Sequence, residues 1–266
     1  MSPNPVTIRL LDPPLHEFLP SQKNTELINA LAKNMNVTVK EIKNRIIDLF
    51  EINPMLGHRG CRLAISFPEI AEMQVEAIFT ACKKLLNEGI KPNPEIMIPL
   101  VSTVGEFENQ QMVIKKIAKK LNKKFQIKLK YKIGTMIELP RACLTADKIA
   151  KKADFISFGT NDLTQTTFGF SRDDIGSFIQ DYFDNNILSE DPFKTIDQQG
   201  VGELVKIAVE KATKSKPKIK IGICGEHGGD PRSIYFFNNI NLNYVSCSPY
   251  RIPIAYLAAA KASFRM

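Results

Sequence analysis

The chain has 266 residues, of which 44% are hydrophobic and 24% charged, and its formal net charge is +8. This composition is that of a large globular domain with a buried core, and it argues against a disordered chain. The basic residues are mostly lysines on helical patterns, as in residues 113–124, where Val113, Ile114, Ile117 and Leu121 form the apolar stripe. Because no basic stretch alternates with aromatic residues, we expect a solvated exterior and no binding of nucleic acid or membrane.

Five cysteines are spread along the chain, and none of them forms a CxxC pair. An odd number at wide spacing predicts reduced thiols and a cytoplasmic location, with an organelle left open. No apolar run is long enough to span a bilayer. The first residues have neither the apolar core of a signal peptide nor the arginine-rich pattern of a transit peptide. We therefore expect a soluble protein.

Short β-rich runs alternate with longer helical patterns from one end of the chain to the other. This alternation predicts repeated βα units around a parallel sheet. Several of the runs are continuously apolar, as strands covered on both faces tend to be. Six strands are predicted, over residues 6–11, 95–101, 132–139, 155–158, 219–224 and 244–247.

The helices between these strands have recognisable first and last residues. Thr38 and Glu41 have the spacing of a capping box. Pro68 suits the first turn of the next helix, and Gly89 supplies a left-handed residue at its end. Thr145 is predicted to cap the short helix that follows it.

The repeated βα pattern predicts an α/β fold of the (β/α)8 TIM-barrel type. We expect one domain over residues 1–266, because no Pro/Gly/Ser-rich linker or charge block divides the chain. A complete barrel has eight strands, so we expect its first two βα units to be missing from this chain. Residues 171–200 form a long connection of the kind that carries a lid or a partner contact.

The working residues of such barrels lie at the carboxyl ends of the strands. Glu138 ends an apolar strand, where a carboxylate has no packing role, and Asp162 follows the next strand. Mg²⁺ takes a few hard oxygen ligands beside substrate and water, so this pair predicts a magnesium site, with an ion pair or a helix cap as the alternative. The full selection at strand ends is Arg9, Asp12, Glu138, Asn161, Asp162, Cys224 and residues 225–229.

Two arginines are candidates for binding a carboxylate or phosphate, because the planar guanidinium bonds two oxygens at once. Arg9 has apolar neighbours and is hard to place on an exposed face. Arg59 lies between Gly57 and Gly60, and glycines let the backbone approach an anion closely. The alternative for each arginine is a structural bridge between carboxylates.

Two further features of the strand ends carry chemistry. The turn at Gly159 and Thr160, just before Asn161, can offer backbone N–H groups to an anion. Cys224 precedes a glycine-rich turn and can donate a proton or act as a nucleophile, although a lone cysteine is often a core residue. His227 forms a Cys-x-x-His pair with Cys224, a weak zinc signal without a second pair. The sequence contains no nucleotide-binding phosphate loop.

Five segments carry a resemblance to a known family: VTIRLLDPPLHEF, GHRGCRL, GTMIELPRA, SFGTNDLTQ and GICGEHGGDP. They closely resemble the C-terminal phosphoenolpyruvate/pyruvate-binding barrel of the pyruvate, phosphate dikinases, and the likeness spans nearly the whole chain. Residues 168–174, with the sequence FGFSRDD, favour this family over its relatives phosphoenolpyruvate synthase and enzyme I of the sugar phosphotransferase system.

The resemblance implies a phosphotransferase that interconverts pyruvate and phosphoenolpyruvate through a phosphohistidine on a separate domain. By the same resemblance, Arg9 and Arg59 match arginines that clamp the phosphoryl group and substrate, and Glu138 and Asp162 match the Mg²⁺ ligands. Cys224 matches the acid/base at the methylene carbon. The family's substrate loop is matched by Gly159, Thr160 and Asn161.

The resemblance also bears on partners. The phosphohistidine and ATP-binding domains are absent from this chain, so we do not expect it to perform the full reaction alone, and the family's barrels pair as a homodimer. Two alternatives stay open: a non-catalytic remnant or subunit of such an enzyme, and a phosphotransferase like phosphoenolpyruvate synthase or enzyme I.

Overall fold

The computed structural model describes residues 3–264. Its sheet contains six parallel strands that lie side by side in chain order, with the first and last strands at the edges. All six predicted strands are confirmed. Their bounds are β1 Val6–Arg9, β2 Pro94–Ile98, β3 Lys132–Ile137, β4 Phe155–Gly159, β5 Lys220–Cys224 and β6 Tyr244–Val245.

The α-helices connect and cover these strands. In chain order they are α1 Thr25–Met35, α2 Val39–Asp48, α3 Gly60–Ser66, α4 Pro68–Asn87, α5 Val104–Phe125, α6 Pro140–Leu144, α7 Ala146–Lys152, α8 Thr160–Phe168, α9 Ile179–Asp184, α10 Val201–Ser215, α11 Pro231–Asn239 and α12 Ile252–Ser263. Short 3₁₀ turns cover Leu15–Phe18, Ile175–Ser177, Glu226–Gly229 and Pro249–Arg251.

Most of the predicted helix ends are confirmed. The Thr38 hydroxyl accepts a hydrogen bond from the Glu41 N–H, and the Glu41 carboxylate accepts one from the Thr38 N–H, which completes the capping box. Pro68 is the first residue of α4, and Gly89 follows its end with φ of 77°. The prediction for Thr145 was wrong in its chemistry. Its hydroxyl donates to the Arg141 carbonyl in the preceding helix and does not cap α7.

The hydrophobic core lies between the outward face of the sheet and the helices. Alternate strand residues such as Ile96, Ile98 and Ile156 are fully buried there. They pack against the apolar stripes of α4, α5, α7 and α10, and the lysines of α5 are exposed as expected. Burial of this outward face holds the helices on one side of the sheet, so the inward face can carry polar and charged side chains.

The inward face of the sheet is concave. Glu95 lies on β2 and Lys220 on β5, three strand spacings apart, which in a flat sheet would be about 14 Å. The Lys220 Nζ nevertheless lies 2.5 Å from the fully buried Glu95 carboxylate. The six strands therefore curl into a half-barrel. The α/β fold with parallel strands is confirmed, and in residues 3–264 the sheet has six strands and two edges.

The long connection at residues 171–200 is more ordered than its composition suggests. It contains the turn Ile175–Ser177 and helix α9. Phe170 stacks on Phe168, with ring centroids 5.2 Å apart, and meets Phe178 and Tyr182 edge-on. This aromatic cluster gives the connection a small core of its own. No helix within the described range is long and apolar enough to cross a membrane.

Candidate active site at the strand ends

The carboxyl ends of the strands surround a cavity of about 390 Å³ on the concave face of the sheet. The structure brings to this one cavity most of the residues that the strand-end rule selects. Those that line it are Arg9, Glu138, Asn161, Asp162, Cys224 and Gly225, and Gly159 of the predicted turn lines it as well. Arg59 lies behind this lining and reaches it through Asp162.

Glu138 occupies the centre of the site and is fully buried. Its Oε1 accepts a 2.6 Å hydrogen bond from the N–H of Leu100. Its Oε2 is buried without a hydrogen-bond partner among the described residues. A Cβ atom on Gly159 would lie 2.3 Å from that oxygen, so only glycine leaves room for the carboxylate here. One oxygen of Glu138 is thus held by the backbone, and the other is unpaired.

Within residues 3–264, no cationic side chain forms a hydrogen bond with the buried Oε2 of Glu138. Burial raises the pKa of this carboxyl well above its usual range, and the negative charges of Asp162 and Asp12 raise it further. A bound cation is the element that would let the ionised carboxylate persist in such surroundings. The unpaired Oε2 and the neighbouring Asp162 therefore fit a divalent cation that binds few protein ligands.

A charged network supports this pair from one side. Arg59 is buried, and its guanidinium contacts both carboxylate oxygens of Asp12 and donates a 3.0 Å bond to Asp162 Oδ1. Burial alone would lower the pKa of Arg59, but the two aspartates outweigh it and raise that pKa. Arg59 therefore does bridge carboxylates. Its neighbour Gly60 packs against Leu100 and Asp12, and is not positioned for the approach of an anion as the sequence suggested.

The Arg9 side chain is more exposed to solvent than that of Arg59. Its Nη1 donates a 2.9 Å bond to Asp12, but 44% of the side chain is exposed. The expectation that Arg9 would be hard to expose was wrong, because β1 is an edge strand and its end is open to the cavity. An arginine that has one paired nitrogen can still bind an anion through its other, accessible N–H groups.

The loop after β4 is fixed by its partners after β5. The Asn161 Oδ1 accepts a 3.4 Å hydrogen bond from the Glu226 N–H, so the amide Nδ2 is the group left to act as a donor. The Thr160 hydroxyl is buried and bonds to His227 Nδ1 at 2.7 Å, and His227 Nε2 lies 2.9 Å from the Pro192 carbonyl. His227 therefore has a structural role, because its ring links Thr160 at the start of α8 to the carbonyl of Pro192. Within residues 3–264 no group of three or more His, Cys, Asp or Glu side chains could hold a metal.

Cys224 faces the cavity from the end of β5. Its Sγ donates to the Phe158 carbonyl at 3.4 Å. Burial raises the pKa of this thiol to about 11, and the charge of Glu138 acts in the same direction. Cys224 is therefore a protonated thiol at neutral pH, able to give a proton to an acceptor that develops beside it.

Comparison with known proteins agrees with this geometry. The sequence matches the family described as "PEP-utilising enzyme, PEP-binding domain" over residues 1–264. This chain belongs to that family. The chain is 56% identical over 257 residues to "Pyruvate, phosphate dikinase, chloroplastic" of Flaveria trinervia, a match that covers 97% of this chain and 27% of that protein.

Other relatives are equally similar. "Pyruvate, phosphate dikinase 1, chloroplastic" of Arabidopsis thaliana is 56% identical over 97% of this chain and 27% of its own length. "Pyruvate, phosphate dikinase 2" of Oryza sativa subsp. japonica is 55% identical, over 97% of this chain and 29% of its own length. The chain thus spans less than a third of the length of the curated relatives it matches. The predicted family is confirmed.

Several residues that line the cavity were not predicted from the sequence. Ser157 and Tyr244 lie on inward-facing positions of β4 and β6. Because side chains alternate along a strand, counting back two residues from Gly159 would have found Ser157. Leu100 does not line the cavity but holds Glu138 through its N–H, and no pattern indicated it, since a leucine does not predict the left-handed backbone that it adopts, with φ of 59°.

A second cavity of about 660 Å³ adjoins the first, and Asp162 lines both. It lies between residues 52–56, helix α8 and the start of the long connection, where Phe170 and Asp174 line it. Arg172 in that connection forms a 3.0 Å ion pair with Glu226 in the loop after Cys224. The long connection of the PEP-binding domain is therefore part of the surroundings of the site.

Proposed function

We propose that this chain binds phosphoenolpyruvate and pyruvate and interconverts them, as part of a phosphotransferase of the pyruvate, phosphate dikinase type. The observation that carries the proposal is the buried, unpaired Oε2 of Glu138, which faces Asp162, Arg9 and Cys224 across one cavity. In the longer protein, the phosphoryl group would pass to or from a phosphohistidine on another domain. We further propose that two more βα units continue the edges at β1 and β6 and complete an eight-stranded barrel.

In this proposal Glu138 and Asp162 hold Mg²⁺, and substrate and water supply its remaining ligands. When bound, the ion would stabilise negative charge on the enolate oxygen of the substrate. The support for Mg²⁺ is the chemistry of the donor set. Two carboxylates line the same cavity, burial raises the pKa of both, and the Oε2 of Glu138 has no hydrogen-bond partner in the described part of the chain.

Arg9 and Arg59 would neutralise the anionic groups of the substrate in different ways. Arg9 has exposed nitrogens that can bind the phosphoryl group or the carboxylate directly. Arg59 is held by Asp12 and Asp162, so its main contribution is to keep Asp162 in place and to add positive charge behind it. The Asn161 amide and the N–H groups of Gly159 and Thr160 would contact the substrate from the start of α8.

Cys224 would transfer the proton at the methylene carbon. In the direction of pyruvate, the electron pair of the enolate double bond takes the proton from the thiol. A C–H bond forms at C3, the S–H bond breaks, and the enolate oxygen becomes a carbonyl. The reverse step takes a methyl proton of pyruvate onto the thiolate. The raised pKa of the thiol suits it to the role of proton donor.

The test uses a chimera in which this chain replaces the matching segment of the Flaveria trinervia dikinase, with the parent enzyme as a positive control. We expect Mg²⁺-dependent exchange of the pyruvate methyl protons with deuterated water, followed by NMR. Glu138→Gln and Cys224→Ala should each abolish it. Glu203→Gln, at an exposed glutamate of α10, and Cys247→Ala, outside the cavity lining, are the matched controls. Exchange that persists in both site variants would overturn the proposal.

Binding separates this function from that of a non-catalytic remnant. Oxalate with Mg²⁺ imitates the enolate complex, and calorimetry on the same chimera should detect its binding and its loss in Glu138→Gln. A folded chimera that does not bind oxalate would instead be a remnant. The homodimer stays a prediction, which sedimentation of the chimera tests.

A further inference from the structure

The floor of the cavity between Glu138 and Cys224 is apolar. Met136 lies two residues before Glu138 on β3, so both side chains point to the concave face. Met136 is 4% exposed and packs in a small cluster with Met97 and Phe155, against which Cys224 also packs. This cluster is separate from the main core on the other face of the sheet.

The end of the Met136 side chain reaches the middle of the site. A Cβ atom on Gly159 would lie 2.6 Å from the Met136 Cε and 2.3 Å from the Glu138 Oε2. The thioether methyl and the unpaired carboxylate oxygen therefore approach the same glycine. Gly159 in turn is paired with Cys224 across β4 and β5. Glu138, Gly159 and Cys224 form a row across three strands, and Met136 lies beneath it.

This row determines where a substrate must lie. A small acid that is held at the Glu138 end and exchanges a proton with Cys224 has to cross Gly159, where the missing side chain leaves room. Its C3 carbon then faces the thiol and rests on the methionine floor. Thr7 and Ser157, which also line the cavity, carry small polar side chains, and Tyr244 lines it from the edge strand β6.

We propose that Met136, assisted by Met97, determines specificity by limiting the C3 position of the 2-oxo acid to an unsubstituted methyl group. The inference rests on the proposed proton transfer at Cys224. An additional methyl group on C3 would collide with the Met136 side chain. Methionine is flexible, and one methylene in an apolar pocket discriminates by roughly 10–200-fold, so the selection is strong without being absolute.

The experiment compares two substrates in the chimera defined above. The rates of C3 proton exchange are measured by NMR for pyruvate and for 2-oxobutyrate, which is one carbon longer. Met136→Ala should raise the ratio of 2-oxobutyrate to pyruvate exchange by at least about tenfold, because it opens space for the additional carbon. Met136→Leu, which conserves volume, should keep the ratio of the unsubstituted chimera.

Controls separate specificity from general damage to the fold. Met112→Ala removes a methionine that is 64% exposed on α5 and should leave the ratio unchanged. Met97→Ala, in the same floor, should raise it, and this variant decides the question if Met136→Ala does not fold. Oxalate has no C3 carbon, so its Mg²⁺-dependent binding should survive Met136→Ala.

The two proposals fail in different ways. If the unsubstituted chimera neither exchanges the methyl protons of pyruvate nor binds oxalate with Mg²⁺, the proposed function is wrong and this inference falls with it. If that chimera exchanges pyruvate normally and the folded methionine variants of the floor keep its substrate ratio, the proposed function stands and the specificity role of Met136 is overturned.

Discussion

The N–H of Leu100 donates a 2.6 Å hydrogen bond to the Oε1 of Glu138. Leu100 adopts φ of 59° to do so, in the left-handed region that a leucine rarely occupies. Gly60 makes room for it, since a Cβ there would lie 2.7 Å from the Leu100 Cβ. This backbone geometry holds one oxygen of Glu138 and leaves the other facing the site. Strained residues of this kind are often found where a site is preorganised.

Leu100 provides a direct test of that strain. Leu100→Gly and Leu100→Ala both remove the buried side chain. The difference between their free energies of unfolding therefore measures the cost of the left-handed backbone conformation. We expect the glycine variant to be more stable by about 1 kcal/mol, because the Cβ atom of alanine is sterically unfavourable in the left-handed region and glycine has none. The free energy of unfolding in urea measures this. At Leu121, a buried residue inside α5, alanine should instead be more stable than glycine by about 1 kcal/mol. The same order at both positions would contradict the assignment of strain.

We expect Gly159 to be required for Mg²⁺-dependent binding of oxalate. We do not expect it to be required for folding. In Gly159→Ala the new methyl group would meet the Glu138 carboxylate and the Met136 side chain. The carboxylate must move, so we predict a loss of about 10–100-fold in oxalate affinity in the presence of Mg²⁺, the range seen when a group that positions a metal ligand is changed. Calorimetry on the chimera checks this. Gly105→Ala, in a helical position with space for a Cβ, is the control and should bind normally.

Cys224 should react slowly with alkylating agents at neutral pH. Only the thiolate reacts, and burial raises the pKa of this thiol to about 11. A free thiol has a pKa of about 8.5, so at pH 7.5 we expect roughly a few hundredfold slower alkylation, rising tenfold per pH unit towards pH 11. Mass spectrometry of the peptide with Cys224 after iodoacetamide treatment measures the rate, with a short cysteine peptide as control. Alkylation as fast as that of the free peptide would show that the thiol is not in the buried environment described here.

Glu95 should make stability depend on acid pH. Burial raises its pKa, but Lys220, Thr7 and Lys132 outweigh burial and lower it. A lowered carboxyl pKa stabilises the fold fully above the unfolded value of about 4.3, and this contribution is lost as pH falls through the folded value. Glu95→Gln should therefore cost about 1–3 kcal/mol at pH 7 and less at pH 3.

Urea unfolding at both pH values measures the Glu95 effect. Glu203→Gln is the matched control, because the Glu203 pair with Lys206 is exposed and its loss should change stability by less than about 0.5 kcal/mol. A cost for Glu95→Gln that is the same at pH 7 and pH 3 would mean that the ion pair with Lys220 does not form in solution.

The order of the strands and the position of the candidate site were predictable because both follow from local patterns. Apolar runs and caps identify each βα unit, and parallel strands bring their carboxyl ends to one edge, so Glu138, Asp162 and Cys224 could be selected together. The partners of Arg59 could not be read in the same way. Its bond to Asp162 joins residues 103 positions apart, and no local pattern encodes such a distance.

Residue types and their spacing along the chain therefore predicted the parallel sheet and the set of candidate side chains, and the resemblance of five segments indicated the family. Only the curled tertiary structure decided which oxygen of Glu138 stays unpaired and that Arg59 is hydrogen-bonded to two aspartates. It also decided that His227 has a structural role and that Met136 forms the floor of the cavity. The physical reason is that hydrogen bonding and burial at a cavity depend on distances between side chains of different strands, and these distances are set only when the sheet curls.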